Sequence, residues 1–245
     1  MHDFPAGRFA VWATAWLTGR CSYDDALDAL TGSTAHRVAG LPGTAEAVPL
    51  GWALTALRGL GETRFRLVLP VAGDVRGLPR VAGLAPLALE SGQAAVGGRL
   101  ALVPEAIGPE AIAWTAFDLT GSEFTAPPVE GTLRSVSGQL DLAVADAART
   151  LVALDLARWN PEVPALLADL AKTTRAPGLP ADHEPLALSV LGRAQRLAAV
   201  LDLAMADAPG GAVNHAQAAA RDDALRPLAQ AVREATVAAF NAVPR

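Results

Sequence analysis

The sequence predicts an α+β protein. A small mixed or antiparallel sheet with helices occupies residues 1–125, a linker residues 126–132, and a four-helix antiparallel bundle residues 133–245. Three observations carry this. Apolar residues that alternate with polar ones, the period of a half-buried strand, lie before residue 120. After residue 133 the apolar residues step by three and four, the period of a helix face. Between the two lies "TGSEFTAPPVEGT", whose Pro, Gly, Ser and Thr mark a connector.

The first helix is expected from about Pro5 to Thr18. Phe9, Trp12 and Trp16 share one face, and Gly19 stops it. In "WLTGRCSYDDALDAL" a second helix begins at Tyr23 and runs to Thr31, with Gly32 as its C-terminal signal. Ser22 is its N-cap, Asp25 completes a capping box, and Cys21 and Ala26 occupy the places of a hydrophobic staple. Tyr23, Leu27 and Leu30 share its core face.

Residues Ala35 to Ala39 read as a short strand. Residues 44–59 read as a helix with Trp52, Ala56 and Leu57 near one face, and Pro49 suits its real start. In "TRFRLVLPV" Phe65, Leu67 and Leu69 alternate with Arg64, Arg66 and Val68, as in a strand. A loop, "AGDVRGLPRVAG", follows, then a short helix at 86–91. "AAVGGRLALVP" and "AIAWTAFDL" are two further strands, the first bending or bulging at Gly97-Gly98.

In the second half Leu140, Val144, Ala147, Leu151 and Leu154 line one helix. Asn160-Pro161-Glu162 starts another. Asp182 caps a third, striped by Val190, Ala194, Leu197, Leu201 and Ala204. The last begins near Asn214, and Leu225, Leu228, Val232, Ala235 and Ala239 form its face. Pro227 is expected to kink or break it near residues 223–226.

Composition excludes more than it assigns. Hydrophobic residues make up 51% and charged residues 18%, so the chain is not of the disordered class. Net charge is −5 and no basic run occurs, which disfavours nucleic acid as a partner and makes a DNA-binding regulator the least favoured reading. The only lysine is Lys172, so arginine is enriched everywhere and its presence at any one place says little. One cysteine rules out an internal disulfide and a cysteine-built zinc site, and it suits a cytoplasmic setting. No apolar run reaches the roughly 18 residues of a membrane span. Asp3 argues against a signal peptide, and Arg20 directly before Cys21 argues against lipidation.

Candidate chemistry is sparse. Gly-x-Ser-x-Gly, the Walker loop and Gly-x-Gly-x-x-Gly do not occur, and no catalytic set assembles. Asp182, His183 and Glu184, with Asp222 or Asp223, are a conceivable metal set, but acids at helix starts have a simpler meaning. No metal and no cofactor is expected. Cys21, beside Arg20 and a helix N-terminus, has the setting of a thiol with a lowered pKa. Four arginines are the candidate ligand residues. Arg64, Arg66 and Arg99 would line one sheet face if their strands pair in register, and Arg76 lies beside Asp74 on the loop after a strand.

The leading expectation is a non-catalytic binding or adaptor protein that self-associates through its Ala/Leu-rich helices. The alternative is an enzyme or ligand-binding module that holds a small anion on these arginines. A further protein partner belongs to the first reading. The composition, "LVLPVAGDVRGLP" and "ALRPLAQAVREATVAAFNA" together resemble a family of uncharacterised proteins from GC-rich actinobacteria. That resemblance implies no activity and transfers no functional residue.

Overall fold

The structure is a computed structural model that describes residues 4–122, 132–153, 178–206 and 215–243. The described residues form seven helices and a six-stranded sheet. In chain order these are α1 (Pro5–Leu17), α2 (Tyr23–Thr31), β1 (Ala35–Ala39), β2 (Val48–Pro49), α3 (Leu50–Gly59), β3 (Arg66–Val68), α4 (Leu84–Ser91), β4 (Ala94–Val96), β5 (Leu100–Gly108), β6 (Ala111–Asp118), α5 (Leu133–Ala153), α6 (Pro185–Ala206) and α7 (His215–Phe240). The sheet order is β2-β1-β6-β5-β4-β3. It is mixed: β1 runs parallel to β6, and every other neighbouring pair is antiparallel.

Side chains alternate between the two faces of a strand, and here both faces are buried. Phe65, Leu67, Ala95, Leu100, Leu102 and Trp114 enter the larger core with α1. Val68, Ala94, Val96, Ala101 and Val103 face the other way, onto Leu84 and Ala88 of α4. The sheet is therefore a middle layer, and α1 is buried on most of its circumference, from Ala6 and Gly7 through Phe9 and Ala13 to Trp16. The Ala6 amide at its start donates to Gln93 Oε1 at 3.0 Å. The same core continues into the second half through Leu140, Leu191, Ala235 and Phe240.

The helix start at Ser22 forms as the residues dictate. The Ser22 hydroxyl accepts from the Asp25 amide at 3.0 Å, and the Asp25 carboxylate answers the Ser22 amide and hydroxyl. Three expectations need correction. Trp52 is 49% exposed, because α3 starts at Leu50 and buries Leu50, Ala53, Leu54 and Leu57 instead. Of the kink or break expected at Pro227, the break does not occur: α7 is continuous across it, and Leu225 and Leu228 are buried on either side. "AAVGGRLALVP" is not one strand but the β4–β5 hairpin, turning at residues 97–99.

Glu62 causes that last difference. It is 5% exposed, and its carboxylate accepts the amides of Gly98 at 2.9 Å, Arg99 at 2.7 Å and Leu100 at 2.8 Å. A carboxylate takes several N–H donors at once, so it fixes the turn from outside. The turn needs glycine because a Cβ on Gly97 would lie 2.7 Å from Glu62 Oε1 and 2.8 Å from the Phe65 ring.

In the second half, α7 packs against both α5 and α6. The expected helix starting at Asn160, and the expected linker 126–132 apart from residue 132, lie outside the described residues, so the helices described there are three rather than four. Asp182 does not cap α6. It lies before the helix and pairs with Arg20 at 2.8 Å, while the Glu184 carbonyl accepts from the Leu188 amide at 3.1 Å.

The contact of α1 with α7 depends on Gly7. A Cβ there would sit 2.9 Å from the ring of Phe240, itself 3% exposed, so the ring would have to shift. Alanine is better than glycine in a helix by about 1 kcal/mol, but overpacking a core costs about 1–3 kcal/mol. Gly7→Ala is therefore expected to lower the urea midpoint. The same substitution beside Phe240→Leu should cost less than it does alone, which a double-mutant cycle measures.

Candidate functional site

A concavity among the described residues lies where α1, the chain entering β3 and the end of α7 converge. It has a volume of about 440 Å³, and its lining includes Val11, Thr14, Phe65, Phe240 and Ala242 together with Arg64 and Arg20. Each wall is held by a specific contact. Thr14 on α1 accepts the Phe65 amide at 2.9 Å, which pins the start of the strand. Asn241, just beyond α7, pairs with Leu67 as another strand would. Its Nδ2 donates to the Leu67 carbonyl at 2.9 Å, and its Oδ1 accepts the Leu67 amide at 2.7 Å. His183 is 2% exposed and donates from Nε2 to the Ala239 carbonyl at 3.0 Å, fixing both its tautomer and the last turn of α7.

Arg64 is the charged group of this cleft. It is partly buried and donates to the Asn241 carbonyl at 2.8 Å. Among the described residues it has no carboxylate partner. Its pKa lies below the ordinary arginine value, first because burial removes water and second because the Arg66 charge is near. Arginine remains charged even so. Arg20, also in the lining, is matched by Asp182.

The structure distributes the four candidate arginines over three settings. Arg64 and Arg66 come together beside the cleft. Arg99 does not join them in a ladder: Arg66 is opposite Val96, Val96 is opposite Ala101, and Arg99 sits in the turn before that pair. Its charge lies near Asp118 instead. Arg76 belongs to a contact between halves. Asp74 accepts from Arg76 at 2.9 Å and from Arg233 of α7 at 2.6 Å, and Arg233 also donates to the Leu69 carbonyl at 3.0 Å. The loop that reads as an anion dock thus presents its own carboxylate to α7. The sequence signal missed altogether is Asn241, whose partner is 174 residues away.

Hydrogen bonds from Arg76 and then Arg233 hold the Asp74 carboxyl well below the usual carboxylate range. A carboxyl depressed in the folded state stabilises it above the unfolded pKa, about 3.9, and loses that contribution as pH falls further. Asp74→Asn is expected to cost about 1–2 kcal/mol at pH 7. The gap from wild type in urea unfolding should shrink steadily below about pH 4.

Cys21 departs from the reactive setting. Burial, followed by the Asp25 charge, raises its thiol pKa, and the opposing influence of Arg20 is smaller. Among the described residues no group of three or more His, Cys, Asp or Glu side chains is placed to hold a metal ion. No helix among them is long and apolar enough to cross a membrane.

Two family models match consecutive parts of the chain. Residues 6–131 match the N-terminal domain of Rv1486c-like proteins, and residues 134–237 match the C-terminal domain. The chain belongs to the Rv1486c-like family. The cleft takes Thr14 and Phe65 from the first matched span, while Phe240 and Asn241 lie just past the second. One relative, "Uncharacterized protein Rv1486c" of Mycobacterium tuberculosis H37Rv, is 31% identical over 98% of this chain and 96% of its own length. Another, "Uncharacterized protein ML1804" of Mycobacterium leprae, is 27% identical over 98% of this chain and 97% of its own. No solved structure matches the chain. The Rv1486c-like relatives carry no stated activity, so function must be argued from the cleft.

Proposed function

We propose that this protein is a ligand-binding module for a small anionic molecule, which it holds in the cleft between α1, β3 and the end of α7. The observation that carries this is Arg64, a partly buried cation on the cleft wall with Arg66 nearby and no carboxylate partner among the described residues. A cation so placed gains from an anion that enters, because the opposite charge compensates for the water that the guanidinium has lost. The cleft volume of about 440 Å³ falls within the roughly 300–1,000 Å³ usual for small-molecule sites. On this reading the chain has two units, 1–125 and 133–245, that jointly form the cleft. A cytoplasmic setting fits its one unpaired cysteine.

The test is thermal unfolding against a panel of acetate, succinate, inorganic phosphate and longer carboxylates at constant ionic strength. A ligand at a hundred times its Kd contributes about 2.7 kcal/mol, enough to move the Tm by a few degrees. Arg64→Glu should remove the shift. No shift with any anion, or equal shifts in the variant, would sink the reading.

A second reading, self-association with a further copy or another protein, is favoured by α5. Leu142 and Val152 there are 66% and 69% exposed, apolar surface that a partner would cover. The native mass of the purified chain measures it, and a strict monomer over a wide concentration range rejects the homo-oligomer.

A further inference from the structure

We infer that the ligand of this cleft is a monoanionic amphiphile, a carboxylate head on Arg64 with an apolar body of medium length. The inference rests on the anion-binding reading and narrows it. It follows from which polar groups of the lining are already used. Thr14 Oγ1 takes the Phe65 amide, and Thr18 Oγ1 donates to the Thr14 carbonyl at 2.6 Å and accepts from Arg20 Nε at 3.2 Å. Nε2 of the buried His183 is committed to Ala239, and both ends of the Asn241 amide are committed to Leu67. Arg20 is matched by Asp182. What the lining still offers a ligand is the Arg64 guanidinium, the neighbouring exposed Thr63, and the apolar surface of Ala10, Val11, Phe65, Phe240, Ala242 and Val243.

A sugar, nucleotide or polycarboxylate carries several polar groups, each of which would lose water without gaining a partner here. Each such mismatch weakens binding. A molecule with one charged end has no such mismatch, and its chain gains from leaving water. At about 30 Å³ for each water-sized group, the cleft holds roughly 15 non-hydrogen atoms at most. Decanoate is of that size.

The experiment is isothermal titration of the full chain with decanoate, decanol, succinate and inorganic phosphate, all below micelle formation. Wild type, Arg64→Ala, Arg64→Lys and Ala242→Trp are compared, with folding of each confirmed by circular dichroism. Decanoate should bind one to one. Arg64→Ala should weaken it at least tenfold, Arg64→Lys less, and Ala242→Trp should block it while leaving Arg64 in place. Decanol should bind at least tenfold more weakly than decanoate. Succinate or phosphate binding as tightly as decanoate, and depending on Arg64, would overturn the amphiphile while the anion-binding reading stands. Decanoate and decanol binding alike, with no effect of Arg64→Ala, would overturn both. Binding by none of the probes would also overturn both.

Discussion

Glu62→Ala is expected to destabilise the protein by about 2–4 kcal/mol. The carboxylate serves three backbone amides, and the contact to Leu100 is fully buried. Gly98 and Arg99 are exposed, so water can replace Glu62 at their amides, but the Leu100 amide has no such recourse. An orphaned buried donor costs about 1–3 kcal/mol by itself, and a cavity beside Phe65 adds to that. Against a typical total stability of about 5–15 kcal/mol this is a large fraction. Glu62→Gln should fall between, because one oxygen remains while an NH₂ group is turned toward donors. Urea unfolding reads both. A loss under about 0.5 kcal/mol for the alanine variant, the range of ordinary surface changes, would show that the turn holds itself.

Asn241→Asp is the second large effect, expected at about 2–4 kcal/mol. The change is nearly isosteric, so packing is not the cause. Asparagine presents a donor to the Leu67 carbonyl and an acceptor to the Leu67 amide. Aspartate keeps the acceptor and sets a charged oxygen against the carbonyl. Arg64, which donates to the carbonyl of the same residue, offsets part of the loss by lying near the new charge. Asn241→Ala should cost less than Asn241→Asp, because it removes the pairing without adding repulsion. The reverse order in thermal unfolding would mean that Arg64 dominates this end of the cleft.

What was legible in the sequence was local. Ser22 and Asp25 lie three residues apart and form their box with no help from the rest of the chain. The alternation of Phe65, Leu67 and Leu69 follows from the strand period, and all three are buried. The apolar stripe from Leu225 to Ala239 was readable for the same reason, being a repeat within one helix. What was not legible depended on partners distant in sequence. The hairpin at Gly97 was hidden because Glu62, 36 residues before Gly98, determines it. Spacing puts Trp52 near one face with Ala56 and Leu57, yet four smaller residues of α3 are the buried ones and Trp52 stays exposed. Of the four candidate arginines, only Arg64 lines the cleft, and the register that separates Arg99 from Arg66 depends on a turn that local pattern did not reveal. The Asn241 pairing has no local pattern, since one side chain imitates a whole strand.

That imitation also bears on the order of events during synthesis. β3 is the outermost strand of its sheet, and the Leu67 backbone groups have no strand on that side. Their partner follows 174 residues later. At ribosomal speeds of about 5–20 residues per second the sheet exists for many seconds with a bare rim. A bare rim is a template on which a second nascent chain can add. Asn241 therefore acts as a late closure: the same residue that builds one wall of the cleft ends the interval in which two copies of the unfinished protein can join.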